Sequence, residues 1–470
     1  MKIKINKNYI NYLITTLFLL LDAIPLLVIK DNTILGVLYF IFNLVFIYFY
    51  CLKCSVEDSA IFSILFILFY TFFIDVFIHY FHKIVIFEME FLFIIPLLIT
   101  YLRIKNNRSK VFSILSILYI VFNAFLFLFY HKVDFTNYSM FMVNIFSFIG
   151  FYYIYSNLDG TKKLIDLYKY IFCVSFLLTI VQTVLGFNED TRNGVFSVFG
   201  WGAYSFFIMI FFMYNLRKYL YKEKSLLYFV FITFICLLLY ICTESKAALV
   251  VMFINIVFLL IARKGLTYKQ LFFLILGILL VPLSYKLLIY FTPKFSHLNN
   301  IHNIIRYFVG NNNTRYEYGR FEALSIVFSK NDYFKQIFGI GFGGSCPLYK
   351  VFFEELGRAP LYPYYTVVYG YKFGYQHTTS AILLLDGGLL LFSTVVIFII
   401  NKIVDTVKKV RIDDNNCINI IKFGVLVYLV YYFVYANVLK DFRIMALLGI
   451  VLGMNNFIIQ DTRGESDLND

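Results

Sequence analysis

Only 15% of the 470 residues are charged, against 61% hydrophobic. That balance excludes a soluble domain of this length. Cysteine is scarce and scattered: the seven lie at 51, 54, 173, 236, 242, 346 and 417. Cys51-x-x-Cys54 has no second pair and no neighbouring histidine, which argues against a zinc or redox centre. The segment 291–377 is the one long stretch without membrane patterning, and it holds Cys346 alone, so it has no internal disulfide. No internal repeat is visible. The first apolar run, 9–29, is too long for the core of a cleavable signal and lacks a small-residue cleavage site.

What is present is a series of apolar runs of about 20 residues, the length a helix needs to cross a bilayer. The runs fall near 9–29, 33–51, 59–79, 84–102, 111–130, 136–156, 167–187, 195–216, 225–242, 245–262, 270–290, 378–401, 418–437 and 441–460. Lipid forces such runs into helices, because unpaired backbone groups cannot face hydrocarbon. The expected fold is an all-α polytopic integral membrane protein of about 12–14 transmembrane helices with one large outer loop. Residues 1–290 form the N-terminal membrane helices, 291–377 the loop with short helices, 378–460 the C-terminal membrane helices and 461–470 a polar tail. The 58 Phe and 40 Tyr use AT-rich codons, so base composition contributes to the aromatic excess.

The net charge of +13 invites a nucleic-acid reading, but its placement excludes one. The basic residues sit in short connections, not in a stripe with base-reading partners. Arg103, Lys105, Arg108 and Lys110 fill one connection, and Arg217, Lys218, Lys222 and Lys224 a second. Arg263, Lys264 and Lys269 fill a third, and Lys402, Lys408, Lys409 and Arg411 a fourth. Counting helices puts all four on one side with Lys2, Lys4 and Lys7. The positive-inside rule makes that side cytoplasmic and the loop 291–377 external. All six histidines, at 79, 82, 131, 297, 302 and 377, then fall at or near the outer face. His79 and His82, spaced i and i+3, read as rim residues in preference to a metal pair.

The loop gathers reactive side chains at one membrane surface: Arg306, Arg315, Arg320, Arg358 and, at its end, His377. Phe321, Leu324, Val327 and Phe328 recur at helical spacing behind Gly319, so Arg320 sits in a first turn. A cation beside exposed helix N–H groups makes an anion site, and a solvated arginine is the equal alternative. The run Gly339-Ile340-Gly341-Phe342-Gly343-Gly344 matches G-x-G-x-x-G but follows no strand, so it is no nucleotide fold. It reads as a glycine turn approaching a phosphate, a re-entrant bend or a plain turn. His377 precedes Thr378, Thr379 and Ser380 and an apolar helix, whose positive dipole end keeps an imidazole neutral. Asp386-Gly387-Gly388 interrupts that helix, which predicts a kink or a close helix contact and a buried partner for Asp386. Arg192 and Lys246 occupy short outer turns, where each also reads as a snorkelling side chain. Asp22, Asp75, Glu88 and Glu90 are acids within or at the ends of helices and would suit a coupled transporter.

These pieces occur in a recognisable order: Arg192-Asn193-Gly194-Val195-Phe196, Ser245-Lys246-Ala247-Ala248-Leu249, Gly319-Arg320-Phe321, Phe338 to Gly343, and His377 through Leu390. In that order the chain resembles the bacterial O-antigen ligase and polymerase superfamily, including Wzy-type polysaccharide polymerases. The resemblance covers roughly 190–400. It departs from the family pattern at Lys246, where Arg is frequent, at Thr378, where Asn is frequent, and at Ala323 and Leu324, near which a Trp is frequent. The resemblance implies a GT-C-like glycosyltransferase in the bacterial inner membrane with its active site facing the periplasm. Its substrates would be undecaprenyl-diphosphate-linked oligosaccharides, with membrane lipid around it and a chain-length regulator protein as a partner. No metal or other cofactor is implied. Arg320 and His377 become the expected catalytic residues, and Arg192, Lys246 and Arg315 the expected diphosphate-binding ones. An O-antigen ligase acting on lipid A core is the first alternative. A flippase or other transporter is the second, and the long outer segment and missing repeat weigh against it.

Overall fold

The computed structural model describes residues 7–27, 33–73, 94–104, 121–126, 135–158, 162–187, 192–196, 201–243, 245–262, 332–342, 378–413, 416–435 and 438–454. Among the described residues there are helices and turns and no strand. The helices are α1 (Lys7–Ala23), α2 (Thr33–Lys53), α3 (Val56–Leu65), α4 (Ile95–Arg103), α5 (Phe135–Asn157) and α6 (Lys162–Val184). They continue with α7 (Trp201–Leu220), α8 (Leu226–Cys242), α9 (Lys246–Ala262), α10 (Tyr333–Phe338), α11 (Thr379–Ile412), α12 (Cys417–Tyr435) and α13 (Phe442–Gly453). A π-helical turn, Phe66–Tyr70, prolongs α3.

Four segments among the described residues are long and apolar enough to cross a membrane: Val56–Phe73, Lys162–Val184, Thr379–Ile412 and Cys417–Tyr435. The outward faces are also apolar. Leu13, Ile14, Leu17 and Leu21 of α1, and Leu227, Val230, Phe231 and Phe234 of α8, are exposed in the isolated chain. Apolar bands of that extent belong against lipid, and the chain is that of a membrane protein. The expected span 270–290 lies outside the described residues, as do most of 111–130, the first half of 84–102 and all but 332–342 of the loop.

Short connections reverse the chain repeatedly, so helix termini gather at two ends. One end is basic. There Lys163 reaches Asp58 at 2.8 Å, Arg103 donates to the Cys51 carbonyl, Arg217 pairs with Glu223 and Lys402 donates to the Tyr152 hydroxyl at 2.8 Å. Helix α13 packs along α5 through Gly449 and Gly453, four residues apart. A Cβ at either would meet the backbone of Phe148–Tyr152. Small residues at that spacing let membrane helices approach closely.

Two helix boundaries differ from the sequence pattern. The run 195–216 begins with a 3-10 turn, Gly194–Phe196, and its helix starts only at Trp201. The run 378–401 continues as helix to Ile412, so Lys402, Lys408, Lys409 and Arg411 lie on α11 and not in a loop. Asp405 and Lys409 form an i,i+4 pair at 2.9 Å on that extension. Such pairs favour helix where hydropathy has already fallen.

Candidate functional site

The end opposite the basic one collects most of the described pieces of the motif series. The turn after α6 is built around Gly194, whose φ is 56°. A Cβ there would lie 2.8 Å from the Ser175 backbone. Gln182 holds the turn from α6: its Oε1 accepts from Gly194 N at 3.0 Å and its Nε2 donates to Gly194 O at 3.4 Å. One amide side chain thus completes both backbone groups of a residue that no helix serves. Arg192, half-buried on the same turn, donates from Nε to the Phe187 carbonyl at 2.7 Å. Its two terminal nitrogens have no partner among the described residues, and its charge bears on Cys242 at the end of α8.

Four residues after Cys242, Lys246 opens α9. The preceding Ser245 shares a 2.6 Å hydrogen bond with Ser205 of α7 and accepts one from Thr243 at 3.1 Å. Tyr240 donates to the Ser205 carbonyl at 3.1 Å. The start of α9 is therefore tied to α7, next to the turn that carries Arg192.

The start of α11 belongs to the same end. Thr378 is its N-cap and accepts from Ala381 N at 3.2 Å. Thr379 accepts from Val438 N at 3.0 Å, which binds α11 to the chain between α12 and α13. Thr378, Thr379 and Ser380 are all buried, so these hydroxyls do structural work. At the start of α13 stands a buried ion pair that the sequence reading did not single out. Arg443 donates from Nε to Asp441 Oδ1 at 2.9 Å and from Nη1 to the Phe196 carbonyl at 2.8 Å. Asp441 also caps α13 by accepting from Arg443 N at 2.9 Å. The only sequence signal was an Asp-x-Arg at the head of an apolar run.

The glycine run meets the kink in α11. Gly388 has φ 65° and ψ −169° inside the helix, which frees carbonyls there from intrahelical bonds. Ile340 N donates to Leu385 O and Gly341 N to Asp386 O, each at 3.0 Å. Gly339 N donates to Lys335 O at 2.8 Å, and Phe342 N donates to Asn123 Oδ1. All four described amides, 339 to 342, are thus consumed within the protein. This part of the run is a backbone dock for α11, not a cradle for phosphate. The expected kink and the expected close contact are one feature, with Asp386 fully buried beneath it.

Of the expected site residues, the structure brings Arg192 and the α9 start bearing Lys246 to one end of the bundle. Arg315, Arg320 and His377 lie outside the described residues, although Thr378 directly follows His377 in sequence. Chemically, the described part offers an arginine with unspent donors beside a rigid, buried framework. A scan against models of protein families finds no match for the chain. A search of curated proteins finds none either.

Proposed function

We propose that the chain is a metal-independent glycosyltransferase of the polysaccharide-polymerase type, working at the outer face of the bacterial cytoplasmic membrane. The observation that carries this reading is the meeting of Arg192-Phe196, the Ser245-Lys246 helix start and the Thr378 helix start at one end of the bundle. The reversals of the bundle make these segments, scattered over 190–400 in the sequence, available to one site at that end.

In this reading a hydroxyl of a lipid-linked repeat unit attacks the anomeric carbon of a glycan held on undecaprenyl diphosphate. The carbon–oxygen bond to the diphosphate breaks, and its electron pair leaves with the diphosphate. The hydroxyl proton passes to a neutral His377; in the alternative His377 only orients the hydroxyl and the departing diphosphate takes the proton. Charge grows on the leaving group, and guanidinium groups meet it with paired hydrogen bonds. Arg192 and Arg320 take that part, with Lys246 and Arg315 supporting. A chain-length regulator is the expected protein partner.

Complementation of a polymerase-deficient strain tests the proposal. Wild-type chain restores a ladder of polymer lengths, and His377→Ala or Arg320→Ala leaves single repeats. Full-length polymer from both variants defeats the catalytic assignment. Polymer stranded on the carrier lipid in a ligase-deficient strain, cleared by the wild-type chain, would point to the ligase reaction instead.

A further inference from the structure

Asp22 lies in the last turn of α1, about 22 Å along the helix from Lys7. That distance falls within a hydrocarbon core about 30 Å thick. Its partners are Tyr39 and Asn43 of α2, and Tyr70 stands behind Tyr39; all three are buried. Tyr39 Oη donates to the Asp22 carbonyl at 2.5 Å and lies 3.4 Å from Asp22 Oδ2 and 2.7 Å from the Tyr70 hydroxyl. Tyr70 closes the π-helical turn that prolongs α3, and its ring stacks on Phe66 with centroids 4.7 Å apart. Turns of that kind are rare and recur at functional positions. One terminal atom of the Asn43 amide lies 2.7 and 3.2 Å from the two carboxylate oxygens of Asp22. The other lies 3.2 Å from the Tyr39 hydroxyl and 3.3 Å from the Tyr39 carbonyl.

These positions pair Asp22 in two protonation states. With Asp22 charged, the amide nitrogen faces it and donates to both oxygens, and the amide oxygen accepts from Tyr39. With Asp22 protonated, the amide is turned over. Its oxygen accepts the carboxyl O–H at 2.7 Å, an ordinary length for that bond, and its nitrogen donates to the Tyr39 carbonyl. Both ends of the amide are paired either way, with every heavy atom in place. We propose that Asp22 is a proton-binding site inside the membrane, with Asn43 as its reversible partner. The proton bonds to a carboxylate oxygen and leaves from it, and the amide turns over as it does. A carboxylate at such a depth calls for a partner. Among the described residues the titratable groups facing Asp22 are Tyr39 and Tyr70, and no cation pairs with it. Tyr170 of α6 spends its hydroxyl on Thr16 at 3.0 Å, and Lys30 and Asp75 lie outside the described residues. A proton fits between atoms 2.7 Å apart, whereas a metal ion in line between them needs bonds of about 2 Å or more on each side. The site stands independently of the glycosyltransferase proposal.

The test uses the purified full chain in phosphatidylcholine nanodiscs, treated with dicyclohexylcarbodiimide at neutral pH, digested and mapped by mass. That apolar reagent adds a protonated carboxyl across its C=N bond: the oxygen bonds to its carbon and the acid proton goes to its nitrogen. Asp22 is half-buried beside the exposed Leu21, so the reagent can reach it from the bilayer. Asp58 and Asp405 pair with lysines at 2.8 and 2.9 Å and serve as charged references. Asp22 should be labelled at least about tenfold more than either, since an exposed aspartate is almost wholly ionised at that pH. Its labelling should fall as the pH is raised. Asn43→Leu removes the donors that hold the charged form, so labelling of Asp22 should persist to higher pH. Labelling of Asp22 no greater than that of Asp58 and Asp405 overturns the proposal, as does an unchanged pH profile in a folded Asn43→Leu variant. Protection of Asp22 by sodium chloride but not by choline chloride also overturns it, in favour of a metal cation. If Asn43→Leu fails to fold, the comparison of the three aspartates in the wild-type chain decides alone.

Discussion

Gly339 and Gly388 touch backbone to backbone, and each has room only because the other side carries no obstacle. A Cβ on Gly339 would overlap the Asp386 carbonyl, and a Cβ on Gly388 would overlap the Ile337 carbonyl. Both residues have positive φ, 79° and 65°. In an ordinary helix Gly388→Ala would stabilise by roughly 0.5–1 kcal/mol. Here the sign reverses: the alanine must adopt a sparsely populated backbone region and also displace α10. Thermal unfolding of the purified protein should show Gly388→Ala and Gly339→Ala each destabilised by about 1–3 kcal/mol. An unchanged or raised midpoint would show that the dock is loose.

Arg443 and Asp441 should behave as a coupled pair. Their side chains are 6% and 11% exposed, so removing either one strands a charge in the protein interior. Arg443→Ala should cost about 3–5 kcal/mol, and Arg443→Ala with Asp441→Ala less than the single change. A double-mutant cycle on unfolding free energies checks this. Strict additivity would mean that the pair contributes through packing alone.

Gln182 is the peg of the Gly194 turn. Gln182→Ala leaves a buried N–H and a buried carbonyl without their partner, at about 1–3 kcal/mol. Gln182→Glu keeps the acceptor but forfeits the donor, and it adds a carboxylate to a buried position. It should therefore be no better than alanine in a thermal melt, and a glutamate variant as stable as wild type would refute the two-bond description.

Arg192 separates stability from activity. Its described bond is a single donation to the Phe187 carbonyl at the edge of the fold. Arg192→Ala should therefore shift the melting midpoint little. If Arg192 meets the leaving diphosphate, transfer between lipid-linked repeat units should fall by about 10²–10³-fold. Arg192→Lys should recover only part of that, because an ammonium cannot bind two oxygens in a fork. An in vitro polymerisation assay with purified carrier-linked units measures both variants.

Much of the bundle was legible because bilayer chemistry leaves so few options. A long apolar run has one structure open to it, and Asp386-Gly387-Gly388 announced a break in such a run. Apolar character alone misplaced the start of α7, since Val195 and Phe196 are buried in a turn and read like helix. It also ended α11 too early, where charged i,i+4 pairing takes over from hydropathy. The Arg443 pair was invisible for a different reason. Its second partner, the Phe196 carbonyl, is 247 positions away and is a backbone group that any residue would supply. The choice among the readings of the glycine run was hidden for the same reason, because Ile340 and Gly341 donate to carbonyls released by a kink in another helix.

Helix α7 begins with the only tryptophan in the chain, Trp201. The neighbouring Gly202 lies against Ile444 and Tyr432, at the end of the bundle that carries Arg192. The native protein therefore has a single indole emitter, carried on the first residue of α7. Its emission, excited selectively over the many tyrosines, gives an optical record of events at one end of the molecule without a label or a substitution.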